Sequence, residues 1–256
     1  MNKDLKTSVQ KILWIALLFA TAFIVVSAVE KQSINTLTDM IIEIEPVDQD
    51  KFFISEGDVK KLIKNEFGIN PIGEKMLDVD TEELETVLQG EAFIKKADAY
   101  FDANDKIHLK IEQRKPVLRV MDQNGLDYYL DEEGKKMPPS RHYTARVIVA
   151  TGSIQAYTDD FLTKEGNQLK DLYDLTQFIH RDLFLLALVE QIHVHDKEFV
   201  LIPKIGKQKI FLGSIDDLEN KIKRLKVFYH EGIAREGWNK YQKIDLRFAG
   251  QVVAGK

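Results

Sequence analysis

The sequence predicts an α+β protein in three parts: one N-terminal transmembrane helix, a small β-α-α-β-β domain, and a larger, β-dominated mixed domain. Three observations predict it. Ile12–Val29 is a run of 18 residues without a charge, which as a helix spans about 27 Å, close to the roughly 30 Å hydrocarbon core of a bilayer. Between residues 40 and 113 the hydrophobic period switches from 2 to 3.6 and back. Beyond Pro116, short apolar runs separated by turn residues dominate, with a few amphipathic helices between them. At 256 residues, 44% hydrophobic, the chain can bury a core in more than one domain.

The uncharged run, ILWIALLFATAFIVVSAV, can satisfy its backbone hydrogen bonds within lipid only as a helix. Ahead of it, Lys3, Lys6 and Lys11 against Asp4 give residues 1–11 a charge of +2, leaving −7 for the remainder. The positive-inside rule makes 1–11 a cytoplasmic tail, 12–29 the span, and everything after Val29 extracytoplasmic. A cleaved signal peptide, with Val26-Ser27-Ala28 as its small-residue site, is the rival reading, and a buried core helix the third. A retained anchor is preferred, because the apolar stretch is at the upper limit for a signal peptide and core helices are seldom uncharged on every face.

Residues 30–39 are polar and aperiodic and read as a linker. Met40–Glu45 alternates as a strand and is closed by Pro46. Ser55 with Asp58 resembles a capping box ahead of Val59, Leu62, Ile63 and Phe67 at helical spacing, and Gly68 ends that helix. Asp80 with Glu83 opens a second helix through Leu84, Val87 and Leu88, stopped by Gly90. Strands Ile94–Phe101 and Lys106–Gln113 are joined by Asp102-Ala103-Asn104-Asp105, and alternation puts His108 on the solvent face. After Pro116 come strands at Val117–Met121, Asp127–Leu130 and Arg146–Thr151, the first two joined by Asn124-Gly125. A helix spans Asn167–His180, and Asp182 caps a short apolar turn through Leu186. Strands Gln191–Val194, Glu198–Ile202 and Lys209–Leu212 follow. Ser214-Ile215-Asp216-Asp217 opens a helix striped by Ile215, Leu218, Ile222, Leu225 and Tyr229. Lys243–Phe248 and Gln251–Ala254 are the last strands, separated by Ala249-Gly250.

Chemistry is sparse. The absence of cysteine excludes disulfide scaffolds, Cys zinc fingers, thiol enzymes and iron–sulfur sites. A net charge of −5 argues against general nucleic-acid binding. No phosphate-binding glycine loop, G-x-S-x-G or H-E-x-x-H is present. His193 and His195 share a strand face but lack a third ligand nearby in sequence, and read as a solvated strand edge rather than a zinc site. Asp131, Glu132 and Glu133 sit in a turn ending at Gly134 and read as turn-forming rather than as a catalytic acid pair. Lys221, Lys223, Arg224 and Lys226 read as a solvated helix face. No catalytic, cofactor-binding or metal site and no small-molecule substrate is expected. What remains is surface. The terminal strands can leave a sheet edge open to strand addition, although pattern alone favours an ordinary, blunted edge.

Several of these segments resemble a known family. The strand–helix–helix–strand–strand unit is similar to a POTRA domain, a partner-binding module. Gln113-Arg114-Lys115-Pro116-Val117 resembles the E-R-x-P-V element that closes the POTRA domain in the bacterial cell-division family of FtsQ and DivIB. Tyr128-Tyr129-Leu130-Asp131-Glu132-Glu133-Gly134 is similar to that family's yylD-x-x-G hairpin, and Ile244-Asp245-Leu246-Arg247-Phe248 to its iDlRy strand. The resemblance implies domains at 40–115 (POTRA) and 116–256 (FtsQ/DivIB-like β domain), and a non-enzymatic divisome scaffold in the inner membrane at the septum, its outer domains periplasmic. It implies binding to FtsB- and FtsL-type proteins and other divisome components, and control of septal peptidoglycan synthesis. The C-terminal strand would accept a partner strand through Arg247, Phe248, Gln251, Val252, Val253 and Ala254. Gln113 replaces the usual Glu and Phe248 a common Tyr. The sequence ends at Lys256, short of the tail and late aromatic residue of some relatives, so an aromatic anchor beyond the strand is not expected. A POTRA-containing protein of export or outer-membrane assembly is the alternative, though further POTRA repeats and barrel strands are missing. An exported hydrolase is a more distant one.

Overall fold

The computed structural model describes residues 13–23, 35–68, 71–122, 124–233, 235, 237–238 and 240–256. Of the expected span over 12–29, residues 13–23 are helical with exposed side chains; the remainder lies outside the described residues, as do the tail 1–11 and Val26-Ser27-Ala28. Among the described residues no helix is long and apolar enough to cross a membrane. The chain divides into two compact units, Met1–Gln113 and Arg114–Lys256.

The first unit is built on a three-stranded sheet of β1 (Asp39–Ile44), β2 (Ile94–Phe101) and β3 (Lys106–Gln113), in the order β1-β3-β2. β1 runs parallel to β3 and β2 antiparallel to it. Helix α1 (Glu56–Phe67) starts in a complete capping box: Ser55 Oγ accepts from Asp58 N, and Asp58 accepts from Ser55 N in return. It ends where Gly68 turns left-handed at φ 68°, a conformation a Cβ would penalise. Helix α2 (Thr81–Gln89) is capped by Asp80, which accepts from Glu82 N and Glu83 N. Val59 and Ile63 of α1, with Leu84 and Leu88 of α2, pack on Met40, Ile42, Ile107 and Leu109, so both helices cover one face of the sheet. His108 lies on the other face, as alternation predicts, but is not simply solvated. It stacks on Tyr100 with ring centroids 5.1 Å apart and bonds Asp102 through Nε2 at 3.1 Å.

The expected linker 30–39 is corrected where it is described. Leu37 is buried in this core, its N–H donates to Glu74 O, and Thr38 N donates to Asp105 O. Two apolar residues in a polar stretch, Ile34 and Leu37, leave too little periodicity to read, yet Leu37 anchors the approach to β1.

Gln113 closes the first unit. Its Oε1 accepts from Phe53 N at 2.7 Å and Ile54 N at 3.3 Å, while Nε2 donates to Glu45 O at 2.7 Å. The side chain thus satisfies two buried backbone N–H groups and one part-buried carbonyl, and needs both an acceptor and a donor to do so.

The second unit is a nine-stranded sheet in the order β12-β11-β10-β9-β8-β7-β4-β5-β6. Its strands are β4 (Pro116–Asp122), β5 (Asp127–Asp131), β6 (Lys136–Met137), β7 (Ile148–Gly152), β8 (Val189–His195), β9 (Glu198–Pro203), β10 (Lys209–Gly213), β11 (Lys243–Asp245) and β12 (Val253–Gly255). Three helices, α3 (Gln168–Arg181), α4 (Leu183–Leu188) and α5 (Leu218–Val227), bury Leu169, Leu172, Leu185, Ile222 and Leu225 against inward residues such as Leu118, Ile192, Leu201 and Ile244. Asn167 caps α3 and Asp182 caps α4 through side-chain oxygens.

β6 and α5 differ from the sequence reading. The two-residue β6 was not expected; so short a strand carries no alternation. Helix α5 starts at Leu218 rather than at Ser214, with Asp217 in a left-handed conformation and giving no side-chain cap. The Ser214 carbonyl is instead taken by Lys221 Nζ at 2.8 Å, and the Ser214 hydroxyl donates to Asp216. The helix runs on into a π-helical turn over Phe228–Ile233.

Candidate partner-binding edge

β12 is the outermost strand of the nine-stranded sheet. It pairs antiparallel with β11, with Lys243 opposite Gly255, Ile244 opposite Ala254 and Asp245 opposite Val253. Gly255 O accepts from Gln242 N at 2.9 Å, so the peptide groups of Gly255 face inward. Because successive residues of a strand direct their N–H and C=O to opposite sides, the peptide groups of Ala254 face the open flank.

The expected strands Lys243–Phe248 and Gln251–Ala254 are both longer than those observed. Arg247 and Phe248 lie past β11, Gln251 and Val252 lie before β12, and Gly255 belongs to β12. The cause is a pair of arginines. Arg247 folds back on Asp245, donating from Nε at 2.9 Å and from Nη2 at 2.7 Å, while its Nη1 reaches Glu198 at 2.9 Å. Arg224 of α5 donates to Phe248 O at 2.8 Å and to Leu246 O at 3.2 Å. Carbonyls that would have continued a ladder are held by a guanidinium, and the chain turns through Ala249-Gly250.

Asp245 is 1% exposed, and its carboxyl is held down at about 2, first by the hydrogen bonds from Arg247 and further by Lys243. The same contact raises the Arg247 guanidinium. Lys243 and Arg247 both lie over the Phe211 ring, at 4.7 Å and 5.5 Å. Gly213 makes room for this arrangement: it has φ 73°, and a Cβ there would stand 2.9 Å from Arg247 Cγ. Beside the edge, Val227, Phe228, Gly232 and Val252 line an apolar groove that Lys223, Arg224 and Glu231 also border. Phe248 and Val253 are 48% and 43% exposed. The edge therefore offers unpaired peptide groups, apolar side chains and fixed cations, the components of a strand-addition surface.

The other sequence candidates resolve as structure. Asp131 is buried rather than solvated: it accepts from Arg114 Nη1 at 2.8 Å, Glu133 N at 2.9 Å and Lys135 N at 2.7 Å, and so builds the turn between β5 and β6. His193 and His195 lie on β8, a central strand and not an edge; His193 Nδ1 pairs with Thr151 Oγ1 at 3.0 Å. Among the described residues no group of three or more His, Cys, Asp or Glu could hold a metal ion. The basic face of α5 is corrected: Lys221 is buried, Arg224 pins the two carbonyls, Lys226 pairs with Asp182, and Lys223 alone of the four is fully on the surface. Sequence reasoning missed Arg224, Glu198 and Gly213 as builders of the edge. The Asp245-x-Arg247 spacing signals one contact, but residues 22 or 49 positions away give no signal.

The family model described as FtsQ/DivIB, C-terminal related, matches residues 115–255, and that of a POTRA-like domain matches residues 36–112. A protein of Rhodothermus marinus named cell division protein FtsQ is 30% identical over 153 residues, covering 57% of this chain. The match takes in 55% of that relative's length, so the chain spans about half of the curated relative it resembles.

Proposed function

The chain belongs to the FtsQ/DivIB family, and on that premise we propose that it is a bitopic, non-enzymatic divisome scaffold. In this reading residues 1–11 are cytoplasmic, 12–29 cross the inner membrane, 30–39 lead into the POTRA domain at 40–115, and the β domain at 116–256 works at the septum outside the membrane. The protein binds FtsB- and FtsL-type partners and helps control septal peptidoglycan synthesis.

The observation that carries the reading is the position of β12 at the margin of the sheet, with the peptide groups of Ala254 turned outward. A partner strand adds there, using main-chain bonds for affinity and the exposed Phe248 and Val253 and the adjoining groove for specificity. Arg247, Phe248, Gln251 and Val252 flank the added strand instead of pairing with it. Main-chain pairing also tolerates the Phe248-for-Tyr departure.

The test is Ala254→Pro, which deletes an outward donor while Val253 and Gly255 keep their pairing with β11. The expected result is loss of FtsB–FtsL capture by a full-length chain that still unfolds cooperatively. Undiminished capture by the folded variant contradicts strand addition at this edge.

A further inference from the structure

We propose that the first unit carries a second docking site, an apolar cleft that receives a lysine or arginine side chain from a basic segment of a partner protein. The cleft lies among Phe67 at the end of α1, Pro71, and residues 78–84 at and before the start of α2. Its floor is Phe67, Pro71, Val79 and Leu84, and its rim is Asp78, Asp80 and Glu83. Its volume is about 50 Å³, far below the several hundred Å³ of a small-molecule site. It fits the end of one side chain.

Charge selects which side chain. No lysine or arginine lines the cleft, and all three rim carboxylates are exposed. The surrounding sequence is as lopsided: residues 74–91 contain seven carboxylates and one basic residue, Lys75. A long cationic side chain lays its methylene stem on apolar surface while its head stays among polar groups, and this cleft supplies both in that order. An acidic side chain would meet three like charges, and a purely apolar one would gain the floor contacts without the attraction of the rim carboxylates. Ile72 and Leu77, at 40% and 72% exposure, adjoin the cleft in sequence and offer apolar contacts to the neighbours of the inserted cation. The site is remote in sequence from the β12 edge and does not depend on it.

The experiment uses the full-length, isotope-labelled chain in micelles, titrated with N-acetyl-Leu-Arg-Leu-amide and with its counterpart N-acetyl-Leu-Glu-Leu-amide at millimolar concentration. The arginine peptide is expected to shift amide resonances across residues 71–84, and the glutamate peptide to leave them in place. The variant Asp78→Asn/Glu83→Gln, which keeps Asp80 as the α2 cap, is expected to weaken binding about fivefold at low salt, the effect of removing two exposed ion pairs. No shift with the arginine peptide, equal binding of the glutamate peptide, or undiminished binding by a folded double variant overturns the proposal.

Discussion

Replacing Asp245 by Asn tests how the edge is held. The carboxylate is buried and gathers the Arg247 guanidinium, the Arg247 N–H and the Lys243 ammonium. Its pKa of about 2 in the fold, against roughly 3.9 in an unfolded chain, is worth about 2 kcal/mol at neutral pH. Asparagine keeps the shape and removes the charge, so the variant should lose about 2 kcal/mol. The sign follows from the depressed pKa. The contribution is fully present above the unfolded value, is lost as pH falls through about 2, and was never present in the variant. The stability gap between wild type and Asp245→Asn should therefore be widest at neutral pH, narrow below about pH 4 and close near pH 2. Urea unfolding of both chains at a series of pH values measures it, the difference cancelling the titration of carboxylates common to both. A gap that is absent at pH 7, or that stays constant down to pH 2.5, refutes the account of Asp245 as the anchor of Arg247.

Two further substitutions probe single contacts. Gln113→Glu retains an acceptor for Phe53 N and Ile54 N but sets a carboxylate oxygen against Glu45 O, where an N–H now donates. It should cost about 1–3 kcal/mol at neutral pH and recover part of that in acid, because protonation of the introduced carboxyl restores the donor; pH-dependent urea midpoints read this, and a neutral substitution would contradict it. Gly213→Ala introduces a Cβ at positive φ and against Arg247 Cγ, so it should destabilise by about 1–2 kcal/mol and weaken partner capture through displacement of Arg247; unchanged thermal unfolding would contradict it.

The fold was largely legible because its units advertise themselves locally. Ser55 and Asp80 cap helices whose apolar residues recur at helical spacing, and Lys106–Gln113 alternates without interruption, so these elements follow from nearest-neighbour chemistry. What escaped the sequence is long-range. Leu37 is one of only two apolar residues between 30 and 39, and its backbone is held by Gly73 and Glu74, and the helical cations Lys221, Arg224 and Lys226 look solvated until the distant carbonyls and carboxylate that they bind are known. The ends of the last two strands were overextended for the same reason: Leu246-Arg247-Phe248 has strand-like composition, but Arg224, 22 residues upstream of Leu246, takes its carbonyls. Arg247, Phe248, Gln251 and Val252 thus lie outside the two last strands, and the contacts that place them there were not visible in the sequence.

The central claim is that a partner strand pairs with the outer flank of β12, and amide hydrogen exchange at residues 253–255 tests it most directly. With the full-length chain alone, the amides of Val253 and Gly255, which face β11, should exchange slowly, and that of Ala254 should exchange fast. On saturation with FtsB- and FtsL-type partners the Ala254 amide should slow by at least roughly tenfold. An Ala254 amide that exchanges at the same rate in the saturated complex contradicts the account.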